Sequence, residues 1–295
     1  MSRQRNKFSI RRRLLRISIL LLAALSLLLA LAVISGCCER FFHHPDNVVY
    51  SHPDIPYEAV TFTSEDGTVL SGWFFPAERP IGTIVHCHGN AQNITAHWQL
   101  ARFLPDRGFN LLVFDYRGYG ESEGRPSRSG TVADARAAVE YVLARDDVDP
   151  DRVGIYGQSI GGAIGAVVAA SDERVRAAVI DCSFTSYRRM AAHALRLNPV
   201  TRMVARPLVG LLIASGYDPI DHVGEIAPRP VLFVHGAADE LVPKEMTREL
   251  YQAAGENAEL YLVEGAGHLD AYMTAPVEYP NRISRFFADA FAESE

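Results

Sequence analysis

Cysteine is scarce in this chain, with four in 295 residues at positions 37, 38, 87 and 182. The only pairing to weigh inside the body of the chain is therefore Cys87 with Cys182. Basic residues run short as well. Of 29 Lys and Arg, the seven at Arg3, Arg5, Lys7, Arg11, Arg12, Arg13 and Arg16 crowd the N-terminus, which leaves 22 against 35 acidic residues and a formal charge of about −13 for the remainder. That balance argues against a nucleic-acid partner. No internal repeat is present. No Pro/Gly/Ser-rich linker divides the middle, so one domain is expected although the length would allow two.

Acidic residues are missing altogether from the first 36 positions, where the basic cluster precedes an apolar run from Ile17 to Ile34. A basic flank, an apolar stretch and small residues ahead of a cysteine read as an export signal. Ile34-Ser35-Gly36-Cys37 resembles the bacterial lipobox, and the resemblance implies cleavage before Cys37 and lipid on its side chain. An uncleaved anchor is the alternative, because the run approaches the roughly 20 residues that span a bilayer. Either way the positive flank stays cytoplasmic and the chain beyond it lies outside, attached to a membrane. A single acyl chain would need a second signal for firm attachment. The organisation expected is a signal or anchor over 1–36, a tether over 37–56 that is polar and proline-broken from Val48 to Pro56, and a folded domain over 57–295.

Within the domain, Tyr57–Thr63 and Thr68–Phe75 alternate polar with apolar on either side of Glu65-Asp66-Gly67 and read as a hairpin. Six short apolar runs follow, at Thr83–Cys87, Asn110–Phe114, Val153–Tyr156, Val175–Ile180, Val231–Val234 and Leu260–Val263, as buried parallel strands do. Helical spacing fills 94–107, 130–146, 160–171, 244–254 and 279–292. The alternation predicts an α/β fold with a mostly parallel, eight-stranded sheet covered on both faces, its ligand site at the carboxyl ends of the strands. Residues 184–224 break the rhythm: Arg- and Leu-rich, proline-interrupted and too long for an ordinary connection, they read as a helical cap. Cys87 and Cys182 then sit two strands apart, roughly 9–10 Å at about 4.8 Å per strand. A disulfide does not stretch so far, so both should be buried thiols. Cys38 stays undecided.

Gly157-Gln158-Ser159-Ile160-Gly161-Gly162 directly follows a strand and directly precedes a helix, the context of a nucleophile elbow rather than of a phosphate loop. A serine needs a base to take its proton and a carboxylate to orient that base. His268, past the last strand in Glu264-Gly265-Ala266-Gly267-His268, and Asp239, past the preceding strand in His235-Gly236-Ala237-Ala238-Asp239, open at the same sheet edge. Asp115 also follows a strand, but it precedes the serine. His86 and His88 lie on one side of a strand, and no carboxylate cluster accompanies them to make a metal site. No cofactor is called for.

The Ser, Asp, His order is that of the α/β-hydrolases, and His88-Gly89-Asn90-Ala91 resembles their oxyanion loop. That implies a pair of backbone N–H donors at Asn90 and Ile160. Asp115-Tyr116-Arg117-Gly118-Tyr119-Gly120-Glu121-Ser122, the elbow and Asp239-Glu240-Leu241-Val242-Pro243 are together similar to the serine hydrolases related to monoacylglycerol lipases and serine aminopeptidases. The loop at 88–91 looks like that of the membrane-associated branch that includes eukaryotic depalmitoylases. The resemblance covers about residues 57–292 and implies hydrolysis of a small acyl-ester, thioester or lipid-like substrate at Ser159, Asp239 and His268. A serine peptidase and a catalytically inactive binding lipoprotein are the rival expectations. A serine at the elbow excludes the epoxide hydrolases and dehalogenases of the same fold, which need aspartate there.

Overall fold

The computed structural model describes residues 16–21, 26, 42–197, 209–210 and 212–292. Cys37, Cys38 and the lipobox lie outside the described residues, as do 198–208 and Leu211 of the expected cap. Among the described residues, no helix is long and apolar enough to cross a membrane.

The strands are β1 (His44–Pro45), β2 (Glu58–Thr63), β3 (Val69–Phe75), β4 (Gly82–Cys87), β5 (Ala91–Gln92), β6 (Phe109–Phe114), β7 (Val153–Gln158), β8 (Val175–Asp181), β9 (Val231–Gly236) and β10 (Ala258–Val263). Eight of them form one sheet in the order β10-β9-β8-β7-β4-β6-β3-β2. All pairs from β10 to β6 are parallel, and β6-β3 and β3-β2 are antiparallel. The helices that flank the sheet among the described residues are α1 (Ile94–Ala101), α2 (Arg128–Leu143), α3 (Ile160–Ser171), α4 (Tyr187–Leu197), α5 (Lys244–Ala254), α6 (Ala271–Thr274) and α7 (Glu278–Ala292).

The continuous apolar runs are explained by two separate cores, one on each face. In β6, Leu112 and Phe114 join the cluster that holds Val132, Val139, Ile164 and Leu250, whereas Leu111 and Val113 join the one that holds Trp98, Ile283 and Phe287. In β9 the same alternation sends Val231 and Phe233 one way and Leu232 and Val234 the other. A strand whose successive side chains enter opposite cores cannot show a polar face, so its period of two is hidden. Each such side chain contributes about 1.5–3 kcal/mol on burial. Helix α3, buried along nearly its whole length between sheet and neighbours, is apolar all round for the same reason.

Local chemistry sets the boundaries. Helix α1 ends at Ala101 and resumes only as a 3₁₀ turn at Pro105–Arg107, because Pro105 has no N–H to continue the ladder. Helix α2 starts earlier than the spacing suggests, since the Ser127 side chain accepts the N–H of Gly130 as a cap. Cys87, at the end of β4, and Cys182, just past β8, are both free and buried, with β7 between their strands. In the expected cap, α4 is helical, while Val209 and Ile213 are buried in the same cluster as the main core. Residues 42–51, at the start of the described domain, lie fastened against the loop after β4 rather than standing away from it.

Candidate active site

Strand β7 ends at Gln158 and α3 begins at Ile160, so a single residue, Ser159, makes the turn. Its backbone sits at φ 55, ψ −118, a strained conformation that lifts the side chain above the sheet edge. Close approach makes glycine necessary at 161: a Cβ there would lie 2.0 Å from the Cys87 carbonyl oxygen and 2.4 Å from that of His88. The first turn of α3 therefore abuts the chain running into the Asn90 loop. Strands β4 and β7 are neighbours in the sheet, with Cys87 opposite Gly157, so Asn90 and Ile160 leave it side by side.

Asp239 follows β9 and His268 follows β10, and both come to Ser159. His268 Nε2 lies 3.0 Å from Ser159 Oγ, and His268 Nδ1 lies 2.7 Å from Asp239 Oδ2. The other oxygen, Asp239 Oδ1, accepts the N–H groups of Leu241 at 2.8 Å and Val242 at 2.9 Å. Burial works to raise the Asp239 carboxyl. The hydrogen bond and charge of His268, the Val242 N–H and the nearby His235 outweigh it, and the group ends below its ordinary value. An ionised Asp239 is acceptor-only, so Nδ1 of His268 carries the hydrogen and Nε2 is left to accept the Ser159 hydroxyl proton.

A second imidazole, His235, lies beside Asp239 with Nε2 3.4 Å from Oδ2, but its bonds are spent elsewhere. Burial lowers its pKa, with Val242, Asp239 and Asp181 opposing. A neutral ring satisfies both contacts if Nε2–H donates to the Val242 carbonyl and the Thr247 hydroxyl turns its one hydrogen to Nδ1 at 2.7 Å rather than to the Ser183 carbonyl at 3.1 Å.

Asp115 is placed differently. It is 2% exposed at the end of β6, and its Oδ1 accepts the N–H of Ile94 in the first turn of α1, 2.8 Å away. Burial, opposed by that N–H, raises its pKa to about 7. Arg117, two residues on, turns instead to Asp134, its Nη2 2.8 Å from Oδ1 and its backbone N–H 2.8 Å from Oδ2. The glycine at 120 is required because a Cβ would stand 2.0 Å from Asp115 Oδ2 at a φ of +50.

Metal-ligating side chains converge at one place among the described residues. Atoms of Cys182, Asp239 and His268 all lie within 4.8 Å of one another, and two of the three are committed to the chain of hydrogen bonds with Ser159. Burial, reinforced by the negative charge of Asp181, holds the Cys182 thiol well above its ordinary pKa, so it stays protonated. His86 is held by Gln158 through a 2.9 Å contact, and His88 Nδ1 by the Gly89 carbonyl at 2.8 Å.

Sequence reasoning did not find the network that fixes the elbow from behind. The Ser159 N–H donates to the Asp181 carbonyl at 2.8 Å, while the Asp181 carboxylate accepts from Tyr279 at 2.5 Å. Tyr279 meets Tyr156 at 2.6 Å, and Gln158 donates to Tyr156 at 2.6 Å. The available signal was an acid closing an otherwise apolar strand run.

A family model of the α/β-hydrolase fold matches residues 82–204, and relatives extend the likeness over most of the chain. The chain belongs to the α/β-hydrolase superfamily, and hydrolase is its class. Its relatives include the uncharacterized protein YfhR of Escherichia coli, 39% identical over 240 residues that make up 79% of this chain and 81% of that protein. They also include the α/β-hydrolase domain-containing protein WAV2 of Arabidopsis thaliana, 34% identical over 237 residues, 76% of each. Among solved structures, the Pyrococcus furiosus esterase Pf2001 superposes with a TM-score of 0.71 at 22% identity, covering 84% of this chain and 98% of that one.

Proposed function

We propose that this protein hydrolyses an ester or thioester bond through an acyl-enzyme formed on Ser159. The observation that supports the reading is the position of His268, whose two ring nitrogens reach Ser159 Oγ at 3.0 Å and Asp239 Oδ2 at 2.7 Å. Ser159 Oγ attacks the carbonyl carbon of the substrate, and its proton passes to Nε2 of His268. The resulting imidazolium is stabilised by Asp239 through Nδ1–H. The oxygen that becomes negative accepts the N–H groups of Asn90 and Ile160. On collapse, His268 returns the proton to the departing alcohol or thiol. Water then attacks the acyl-enzyme, gives a proton to His268, and releases the acid as Ser159 Oγ is reprotonated.

Attachment outside the cytoplasm, through lipid on Cys37 or an uncleaved N-terminal anchor, belongs to the same reading, and a lipid-like acyl substrate suits such a location. Labelling of the intact protein by a fluorophosphonate probe, lost in Ser159→Ala, tests the nucleophile. A series of p-nitrophenyl esters of increasing chain length, run beside aminoacyl p-nitroanilides, tests the substrate. Turnover of the anilides alone would replace the esterase reading with a peptidase, and no labelling at all would leave a binding protein.

A further inference from the structure

The loop that carries Asn90 holds an unfavourable backbone. Gln92 has φ 67, which a non-glycine residue keeps only where its surroundings fix it. One support comes from α1, where His97 Nε2 lies 2.8 Å from the Ala91 carbonyl. The other comes from residues 42–51, which precede β2 in the chain. Strand β1 pairs in parallel with β5, His44 opposite Ala91 and Pro45 opposite Gln92. The His44 N–H donates to Asn90 Oδ1 at 3.0 Å, and the Tyr119 hydroxyl reaches the same oxygen at 3.4 Å. Asn93, 1% exposed, spends its amide hydrogens on this segment, with Asp46 Oδ1 at 2.9 Å and the Val48 carbonyl at 2.8 Å. Its Oδ1 meanwhile caps α1 by accepting the Thr95 N–H at 2.9 Å. The Asp46 carbonyl takes the Gly120 N–H at 2.9 Å, and Ser51 Oγ takes the Trp98 indole N–H at 2.9 Å. At the other end, Phe42 is buried with its ring edge-on to Tyr187, the first residue of α4, at 4.9 Å.

We infer that Phe42–Ser51 is a strap that positions the Asn90 oxyanion donor, with the backbone N–H of His44 as the positioning group. The inference rests on the reading of Asn90 given above and adds a part to that site. The strap fastens the Asn90 side chain, the strained peptide at Gln92 and the cap of α1 together, so the Asn90 N–H is aimed before substrate arrives. Losing an oxyanion donor outright costs about 10²–10³ in kcat. Loosening its support should cost part of that. Because the donor is used chiefly when charge develops on the oxygen, KM should change little.

His44→Pro deletes the donating N–H and an exposed side chain, and also fixes φ at 44 and restricts the buried His43 before it; His44→Ala keeps the N–H and serves as control. Both are made in the full chain, and Asp46→Ala, which takes the Oδ1 acceptor from Asn93 and leaves it the Val48 carbonyl, is the second probe should His44→Pro fail to fold. In His44→Pro we expect kcat on a p-nitrophenyl ester to fall roughly 10- to 100-fold. KM should stay within about threefold and fluorophosphonate labelling should slow in proportion, with faster amide hydrogen exchange across residues 89–98. His44→Ala should match the wild type, and Asp46→Ala should show the same pattern as His44→Pro. Wild-type kcat in a folded His44→Pro or Asp46→Ala protein, or unchanged exchange across 89–98, overturns the inference while leaving Ser159 in place. If the wild type neither turns over esters nor takes the probe, the hydrolase reading falls instead. Hydrogen exchange across 89–98 then decides the strap by itself.

Discussion

His268 Nδ1 and Asp239 Oδ2 are 2.7 Å apart, and the carboxylate's other oxygen is held by the N–H groups of Leu241 and Val242. The acid is thus fixed by backbone on one side and presents a single acceptor to the imidazole on the other. Asp239→Asn can keep the backbone bonds through its remaining oxygen, but its amide offers hydrogens where the ring needs an acceptor. The ring turns to the wrong tautomer, with Nε2 protonated and unable to accept from Ser159. The expected result is a fall in kcat of roughly 10⁴ with a nearly unchanged melting temperature. A rate close to wild type in the purified, folded variant would remove Asp239 from the mechanism.

Asp115, the other acid that follows a strand, should show itself in stability rather than rate. Its carboxyl is raised from 3.8 to about 7 by burial. Between those values the unfolded chain has released the proton while the folded protein still binds it, so stability from this group is full below about pH 4 and is lost as pH rises toward 7. Asp115→Asn carries a neutral amide at every pH and lacks that loss. Urea unfolding of wild type and variant at intervals from pH 4 to 8 should therefore show the wild type losing ground to the variant as pH rises, with kcat kept within a few-fold. A pH-independent difference between the two would contradict a raised Asp115.

Much of this was legible in the sequence because the signals are local. A six-residue strand buried on both faces needs a continuous apolar run, and a strand followed at once by Gly157-Gln158-Ser159-Ile160-Gly161 has few geometries open to it. His268 and Asp239 could be paired with Ser159 because parallel strands all deliver their following loops to one edge. The strap left no such trace. His44 and Pro45 pair over only two residues with a loop far along the chain, and Asp46 to Ser51 make their bonds through single side chains and carbonyls, with no periodicity to read. The Tyr156, Tyr279 and Asp181 network was hidden for a related reason, since its members look like ordinary strand and helix residues until the sheet brings them together.

In the expected cap, neighbouring residues should separate packing from substrate choice. Ile213 is 6% exposed and packs with the main core, while the Arg188 guanidinium donates to its carbonyl at 2.7 Å. Ile213→Ala should cost about 2–4 kcal/mol in urea unfolding by leaving a cavity. Leu212 is half-buried at the margin of that cluster. We propose that the segment shapes an acyl pocket, in which case Leu212→Gln should cost less stability than Ile213→Ala, because it is only partly buried, and should shift the preferred acyl length on the p-nitrophenyl series. If its length profile matches wild type, the acyl group is bound elsewhere.

The location proposal rests on Cys37 and the small residues before it, and the chemistry of processing separates the candidates. A lipoprotein signal peptidase cuts only when the following cysteine carries lipid, so Cys37→Ser should accumulate at precursor size and take up no labelled palmitate. The wild type should be shorter by the signal and labelled. An uncleaved anchor predicts that both proteins have the same, full length and neither is labelled, with membrane attachment carried by the apolar run. Lipid on Cys38 predicts equal labelling of both. Because a single acyl chain binds a bilayer only marginally, the wild type should resist release by high salt or carbonate only if more than one chain is attached. Labelling, gel mobility and carbonate extraction of the two proteins, run together, distinguish all three arrangements, and equal labelling of Cys37→Ser would end the assignment of the lipid to Cys37.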